Sequence, residues 1–270
     1  MHSFRLPALC LLLIGVLFNL YGKEQSPLKI ITINIWSGSD YHGTTKFGMW
    51  ENPAQREQRY KLLVKELKSA KLDVIFIQEA NPVDRYTRRL AQDLNMSQIH
   101  QICIAGIKLL GLGIPWGFKE GNAILARKNL QLGKLEDWKL SGSPGLYSDN
   151  FSFQLDETVS ALLGQIIVQG KLVNLLCVHL SAAPENDAVL QDSLNQQLTK
   201  GTLTQKEYQS IQQHWKRGIE RRDKETTLLL KKIKHLPKNI PLIVGGDFNS
   251  SPESKVIRTQ KRYCGNFGKS

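Results

Sequence analysis

Asp73-Val74-Ile75-Phe76-Ile77-Gln78-Glu79-Ala80 is the stretch whose reading decides the fold. Four apolar residues, β-branched or aromatic, stand between an Asp and a Gln-Glu pair, a run of strand length. Just upstream, residues 54–70 carry Tyr60, Leu63, Val64 and Leu67 at helical spacing, with Arg, Lys and Glu between them. Further back, Lys29-Ile30-Ile31-Thr32-Ile33-Asn34-Ile35-Trp36 is another β-branched strand. Downstream, Val83, Tyr86, Leu90 and Leu94 predict a short helix. A strand around 99–104 and a Gly-rich loop over 106–121 follow. Strands are then expected near 122–126, 131–140, 159–168 and 172–180. Residues 181–236 read as helical, with Thr204-Gln205-Lys206-Glu207 in capping-box form and Thr226, Leu229, Leu230 and Ile233 as an apolar stripe. The last strand is 241–246. There is no internal repeat and no linker rich in Pro or Ser, so residues 28–252 read as one mixed α/β domain with a polar tail over 253–270.

The 270-residue chain is 41% hydrophobic and 22% charged, which excludes a fibrous or wholly disordered protein. A multi-span membrane protein is excluded too, because only one segment is apolar enough to be a candidate span. That segment is N-terminal: His2 and Arg5 precede an apolar stretch over 6–20, and Tyr21-Gly22-Lys23 returns the chain to polar sequence. Residues 1–22 read as a secretory signal peptide or, with 6–21 retained, an N-terminal anchor. The expected location is therefore extracytoplasmic, secreted or periplasmic. The net charge of +12 suits a polyanionic partner, nucleic acid or phospholipid head groups, or serves solubility alone. Cys103, Cys177 and Cys264 lie outside the signal region and none has metal-site spacing. A Cys103–Cys264 disulfide is conceivable after export, and Cys177 reads as a buried strand residue.

The chemistry lies at strand ends. Asn34 closes the first strand, Glu79 the second and His179 a later one, while Asp247-Phe248-Asn249 follows the last. Ligand groups gather at the C-terminal ends of strands in α/β sheets. Two carboxylates, a His and two amides are suited to metal-assisted phosphoester hydrolysis, in which a hard cation takes carboxylate oxygens and the other groups handle protons. Singly each has an ordinary structural explanation, as a turn, a cap or a core histidine. Their order along the chain argues against reading them singly.

Ile33-Asn34-Ile35-Trp36, Ile77-Gln78-Glu79-Ala80, Gly121-Asn122-Ala123-Ile124-Leu125, Val178-His179-Leu180 and Gly245-Gly246-Asp247-Phe248-Asn249-Ser250 together resemble the motif series of the endonuclease/exonuclease/phosphatase superfamily, the deoxyribonuclease-like metal-dependent phosphohydrolases. The resemblance implies a four-layer α/β sandwich, two mainly antiparallel sheets face to face with helices outside. It implies Mg²⁺ or Mn²⁺ held by Glu79 with Asn34 beside it in the metal or phosphate shell. It implies that Asp247 manages a proton of water or leaving group, that Asn249 steadies phosphoryl oxygens, and that His179 and Asn122 contact phosphate.

The family pattern also ends in a Ser-Asp-His-type motif beyond the Asp-x-Asn, and no His follows His235 here. The sequence therefore reads as a truncated product lacking the closing strands. The alternative to a working hydrolase is a remnant that folds or binds without turnover. Cys177 stands where the family often has Asn-Thr before the His. Substrate stays open among DNA, RNA, sphingolipid and inositol phosphate. The apolar, Trp-containing stretch 106–118 suits either packing over the sheet or contact with a lipid interface.

Overall fold

The 74–77 run alternates between two destinations, and that alternation lays out the whole molecule. Val74 and Phe76 point into an apolar seam shared by two sheets, whereas Ile75 and Ile77 point to helices on the outside. A computed structural model describes residues 27–38, 51–105, 119–142, 145–147, 152–154, 158–182, 188–251 and 254. Its elements are β1 (Ile30–Asn34), α1 (Pro53–Ala70), β2 (Val74–Ala80), α2 (Val83–Leu94), β3 (Met96–Ala105), β4 (Lys119–Arg127), a single 3₁₀ turn, β5 (Gly133–Ser141), the short pair β6 (Gly145–Tyr147) and β7 (Ser152–Gln154), β8 (Val159–Val168), β9 (Lys171–His179), α3 (Ala188–Thr199), α4 (Gln205–Lys234) and β10 (Leu242–Asp247).

Two four-stranded sheets run in the orders β1-β2-β4-β3 and β10-β9-β8-β5. β1 is parallel to β2 and β10 is parallel to β9; the other neighbours in both sheets are antiparallel. Between the sheets lie Phe76, Ile124, Leu162, Ile166, Leu175 and Cys177. Outside the first sheet, Ile75, Ile77 and Leu125 meet Tyr60 and Leu67 of α1 and Leu90 of α2. Outside the second, Leu163, Leu176 and Val178 meet Leu229 and Ile233 of α4. The layers are helix, sheet, sheet, helix, the sandwich that the motif series implies.

Local chemistry sets the helix ends. α1 begins where Asn52 accepts the N–H of Ala54 at 2.8 Å and Pro53 supplies a fixed φ, and it stops at left-handed Lys71. The 181–236 segment falls into two helices, broken at Gly201, whose φ of 72° suits a residue without a Cβ. α4 then restarts with the full Thr204–Glu207 capping box. Cys103 is buried with its Sγ 3.2 Å from Ser160 Oγ, and burial pushes the thiol up to about 12. Its suggested partner Cys264, the 1–22 segment, the 106–118 stretch and nearly all of the tail lie outside the described residues.

Candidate active site

The parallel pairs β1/β2 and β9/β10 place four strand C-termini at one end of the seam. In each of these strands the inward row continues the core and then turns polar. In β1 the row is Ile30, Thr32, Asn34; in β9 it is Leu175, Cys177, His179; in β10 it is Ile243, Gly245, Asp247. In β2 the row Val74, Phe76 ends at Gln78, which is buried and donates to the Cys177 thiol across the seam at 3.3 Å. Burial holds that thiol up at about 12, so it stays neutral under the site.

Glu79 would face the helices if β2 continued regularly. Instead the β2–β4 register shifts between Ile77 and Ala80, and Glu79 adopts a φ of 58°. Left-handed backbone in a residue with a Cβ costs about 1–2 kcal/mol, and such conformations cluster at functional sites. Here it is offset by hydrogen bonds: Asn34 Nδ2 donates to Glu79 Oε1 at 2.7 Å and the Ser37 N–H donates to Oε2 at 3.4 Å. The same Asn34 nitrogen donates to Asp247 Oδ2 at 3.0 Å, bridging the carboxylates of the two sheets. The Asn34 oxygen accepts the Trp36 N–H at 3.0 Å, which fixes the amide's orientation.

His179 lies beside Asp247 in the β9–β10 register, with Nε2 3.9 Å from Glu79 Oε1. Asp247 Oδ1 accepts the backbone N–H of Asn249 at 2.9 Å, and Asn249 Nδ2 donates to Leu180 O at 2.7 Å. Asn249 has a φ of 48°, a conformation Asn tolerates better than most residues. Gly246 permits this crowding: a Cβ there would sit 1.9 Å from the Val178 carbonyl oxygen.

Of the six residues singled out in the sequence, the structure brings together Asn34, Glu79, His179, Asp247 and Asn249. Asn122 stands apart. It is fully buried between the sheets, and its amide donates to the Ser160 carbonyl at 3.2 Å.

The sequence reading missed the residues behind the site. Arg59 of α1 donates to the Ile35 carbonyl, and Arg56 to the Asn81 carbonyl. Glu51 pairs with Arg59 at 2.7 Å, and that hydrogen bond holds its carboxyl below the ordinary range. The Arg59 guanidinium also lies 5.2 Å above the centre of the Trp36 ring. From the other side, Arg222 of α4 donates to the Asn249 carbonyl, and Glu225 is buried nearby. A signal for the last pair existed: Arg222 and Glu225 fall in helical phase with the stripe through Thr226, Leu229 and Ile233.

Among the described residues no three His, Cys, Asp or Glu side chains form a metal cluster of their own. Mg²⁺ needs no such cluster, because it binds through one or two carboxylates and keeps waters and phosphate oxygens for the rest. The Glu79 carboxylate, with the Asn34 amide beside it, fits that demand.

A strained Glu, a bridging Asn, a His and an Asp-x-Asn turn are thus gathered over the seam between the two sheets. The chain belongs to the Endonuclease/Exonuclease/phosphatase family, whose model matches residues 31–263. This is a superfamily of phosphoester-hydrolysing enzymes. Among solved structures the chain is similar to the human Nocturnin catalytic domain with bound sulfate anion, at 17% identity and a TM-score of 0.53, covering 87% of this chain and 68% of that one. It is also similar to a β-hairpin deletion mutant of beta toxin from Staphylococcus aureus, at 15% identity and a TM-score of 0.51, covering 89% and 73%. A family protein from Leptotrichia buccalis matches at 13% identity and a TM-score of 0.51, covering 88% and 74%. No curated protein matches the sequence.

Proposed function

We propose that this chain is an exported, Mg²⁺- or Mn²⁺-dependent phosphodiesterase acting on a polyanion, a nucleic acid or a phospholipid. The observation that carries the reading is the Asn34 amide nitrogen shared between Glu79 and Asp247, which ties two strand ends of one sheet to one of the other. Glu79, with Asn34 beside it, would hold the cation, whose chemistry is to neutralise charge on phosphate oxygens and acidify water. Asp247 accepts a proton from the attacking water. Each of its oxygens already accepts one hydrogen bond, from Asn34 and from the Asn249 N–H, so the carboxylate is oriented before substrate arrives. The Asn249 amide uses one N–H on Leu180 O and keeps the second for a phosphoryl oxygen. His179, on the same rim, binds phosphate or carries a proton to the leaving oxygen.

The net charge of +12 supports a polyanionic substrate. The signal-like 1–22 segment supports export, and the apolar composition of 106–118 supports contact with a lipid interface. The test is hydrolysis of bis(p-nitrophenyl) phosphate by the full chain with Mg²⁺ or with EDTA, with Glu79→Ala as control. Turnover that needs the metal and is lost in the variant is the expected result. Absence of turnover from folded protein would sink the enzymatic reading. Plasmid and sphingomyelin assayed in parallel separate nuclease from lipid phosphodiesterase.

A further inference from the structure

Glu225 is a fully buried carboxylate in the middle of α4, on a face otherwise packed against the second sheet. Leaving a charge there is costly unless it is fully hydrogen-bonded, and an apolar residue of similar size would seal the layer at least as well. Its hydrogen bonds explain its placement. Oε1 accepts from Ser141 Oγ at 2.5 Å, from Ser181 Oγ at 2.7 Å and from Arg221 Nε at 3.1 Å, and Oε2 accepts the backbone N–H of Ser181 at 3.0 Å. Ser141 ends β5, and Ser181 lies two residues after His179. One carboxylate therefore ties the end of one strand to the loop that leaves the catalytic histidine.

The neighbouring turn of the helix completes the connection. Arg222 donates to the carbonyl of Asn249. Asn249 in turn donates through Nδ2 to Leu180 O at 2.7 Å, and the Leu180 N–H donates to Asp247 O at 2.9 Å. The loops carrying His179 and Asp247-Phe248-Asn249 thus bond to each other and both bond to adjacent positions on α4. Glu225 and Arg222 are buried, and their links run through the backbone groups of Ser181, Leu180 and Asn249, so a shift of the carboxylate moves Ser181, Leu180 and the Asn249 amide together.

We propose that Glu225 is a positioning residue for phosphoester hydrolysis: through Ser181 it sets the distance between His179 and the Asn249 amide. The proposal rests on the reading of the site given above. Removing an outer partner of this kind typically costs about 10- to 100-fold in activity, and the loss should fall on kcat, because the cation-holding Glu79 and Asn34 lie on the other sheet while the displaced groups act on the charge that develops in the transition state.

The experiment compares Glu225→Gln with Leu229→Ala, a fully buried apolar truncation one turn further along the same helix. Three properties are read: kcat and KM on the activated diester, thermal midpoint, and the side-chain amide resonance of Asn249 in ¹⁵N-asparagine-labelled full-length protein. Glu225→Gln should lose about 10- to 100-fold in kcat, with KM within about twofold and the Asn249 amide shifted. Leu229→Ala should lower the midpoint at least as much while keeping kcat below its transition. Parental kcat and an unmoved Asn249 resonance in Glu225→Gln would overturn the proposal. An equal kcat loss in Leu229→Ala would also overturn it, because the effect would then follow stability. If the parent itself hydrolyses nothing, the enzymatic reading fails on its own and the Asn249 resonance still decides the positioning role.

Discussion

The two halves of the molecule solve the same problem with different material. In residues 30–127 the parallel pair β1/β2 ends in Asn34 and Glu79, and in residues 133–247 the parallel pair β9/β10 ends in His179 and Asp247. In each half an arginine from the outer helix reaches over the sheet to a loop carbonyl: Arg59 to Ile35 in the first, Arg222 to Asn249 in the second. The halves differ in how the arginine is kept. The Arg59 side chain is 29% exposed and leans on Glu51 from the α1 approach, whereas Arg222 is 3% exposed and lies one turn from buried Glu225. They differ also in the strand itself, because Glu79 reaches the site through a register shift and a left-handed residue, while His179 and Asp247 follow regular pairing. The first half carries strain in the strand and an adjustable ion pair outside it. The second keeps regular strands and holds its loops from a buried helix face.

The largest effect should come from cutting either side of the Asn34 bridge. Glu79→Ala and Asp247→Ala are each expected to lower kcat/KM by about 10³-fold or more, measured on the activated diester. If Asp247→Ala kept its activity, the second half would be scaffold and the comparison would break. Next comes the seam that joins the halves. Phe76 is buried there against Gly245, where a Cβ would lie 2.4 Å from the ring. Phe76→Ala should cost about 3–5 kcal/mol in urea unfolding. Gly245→Ala should cost about 1–3 kcal/mol by overpacking, and Phe76→Leu in the same chain should recover part of that loss. Additive losses in the double variant would mean that the two residues do not share one space.

Much of this arrangement was legible in the sequence because it is local. The continuous apolar run over 74–77 marked a strand, and the polar endings of the strands marked Asn34, Glu79, His179 and Asp247. What escaped the sequence is long-range or depends on context. The insertion of β4 between β2 and β3 is set by pairing across tens of residues. Glu79 reaches the site only through the register shift, which no local pattern announces. Asn122 carries a family motif yet is buried against Ser160, because its position in β4 shares the inward row with Ile124 and Ala126. Arg222 and Glu225 are charged helix residues, a kind usually solvated; only their phase with Leu229 and Ile233 says otherwise.

The arginines sharpen the comparison at a finer scale. Arg222→Ala leaves a carbonyl unsatisfied beneath the Asn249 loop and should cost about 1–3 kcal/mol. Arg59→Ala, in a more exposed setting where water replaces the donor, should cost less, and equal losses would erase the difference between the halves. The smallest effect belongs to Glu51. Arg59 holds its carboxyl below the ordinary Glu value, so the group is more acidic folded than unfolded. Its contribution to stability is then fully present above the unfolded value of about 4.3 and is lost as pH falls through the lower folded value. Glu51→Gln should therefore melt below the parent at neutral pH, and the two midpoints should converge on acidification through that window. A constant gap down to low pH would show that Glu51 acts through its shape rather than its charge. The first half would then be held much as the second is, by packing, with its ion pair an accessory.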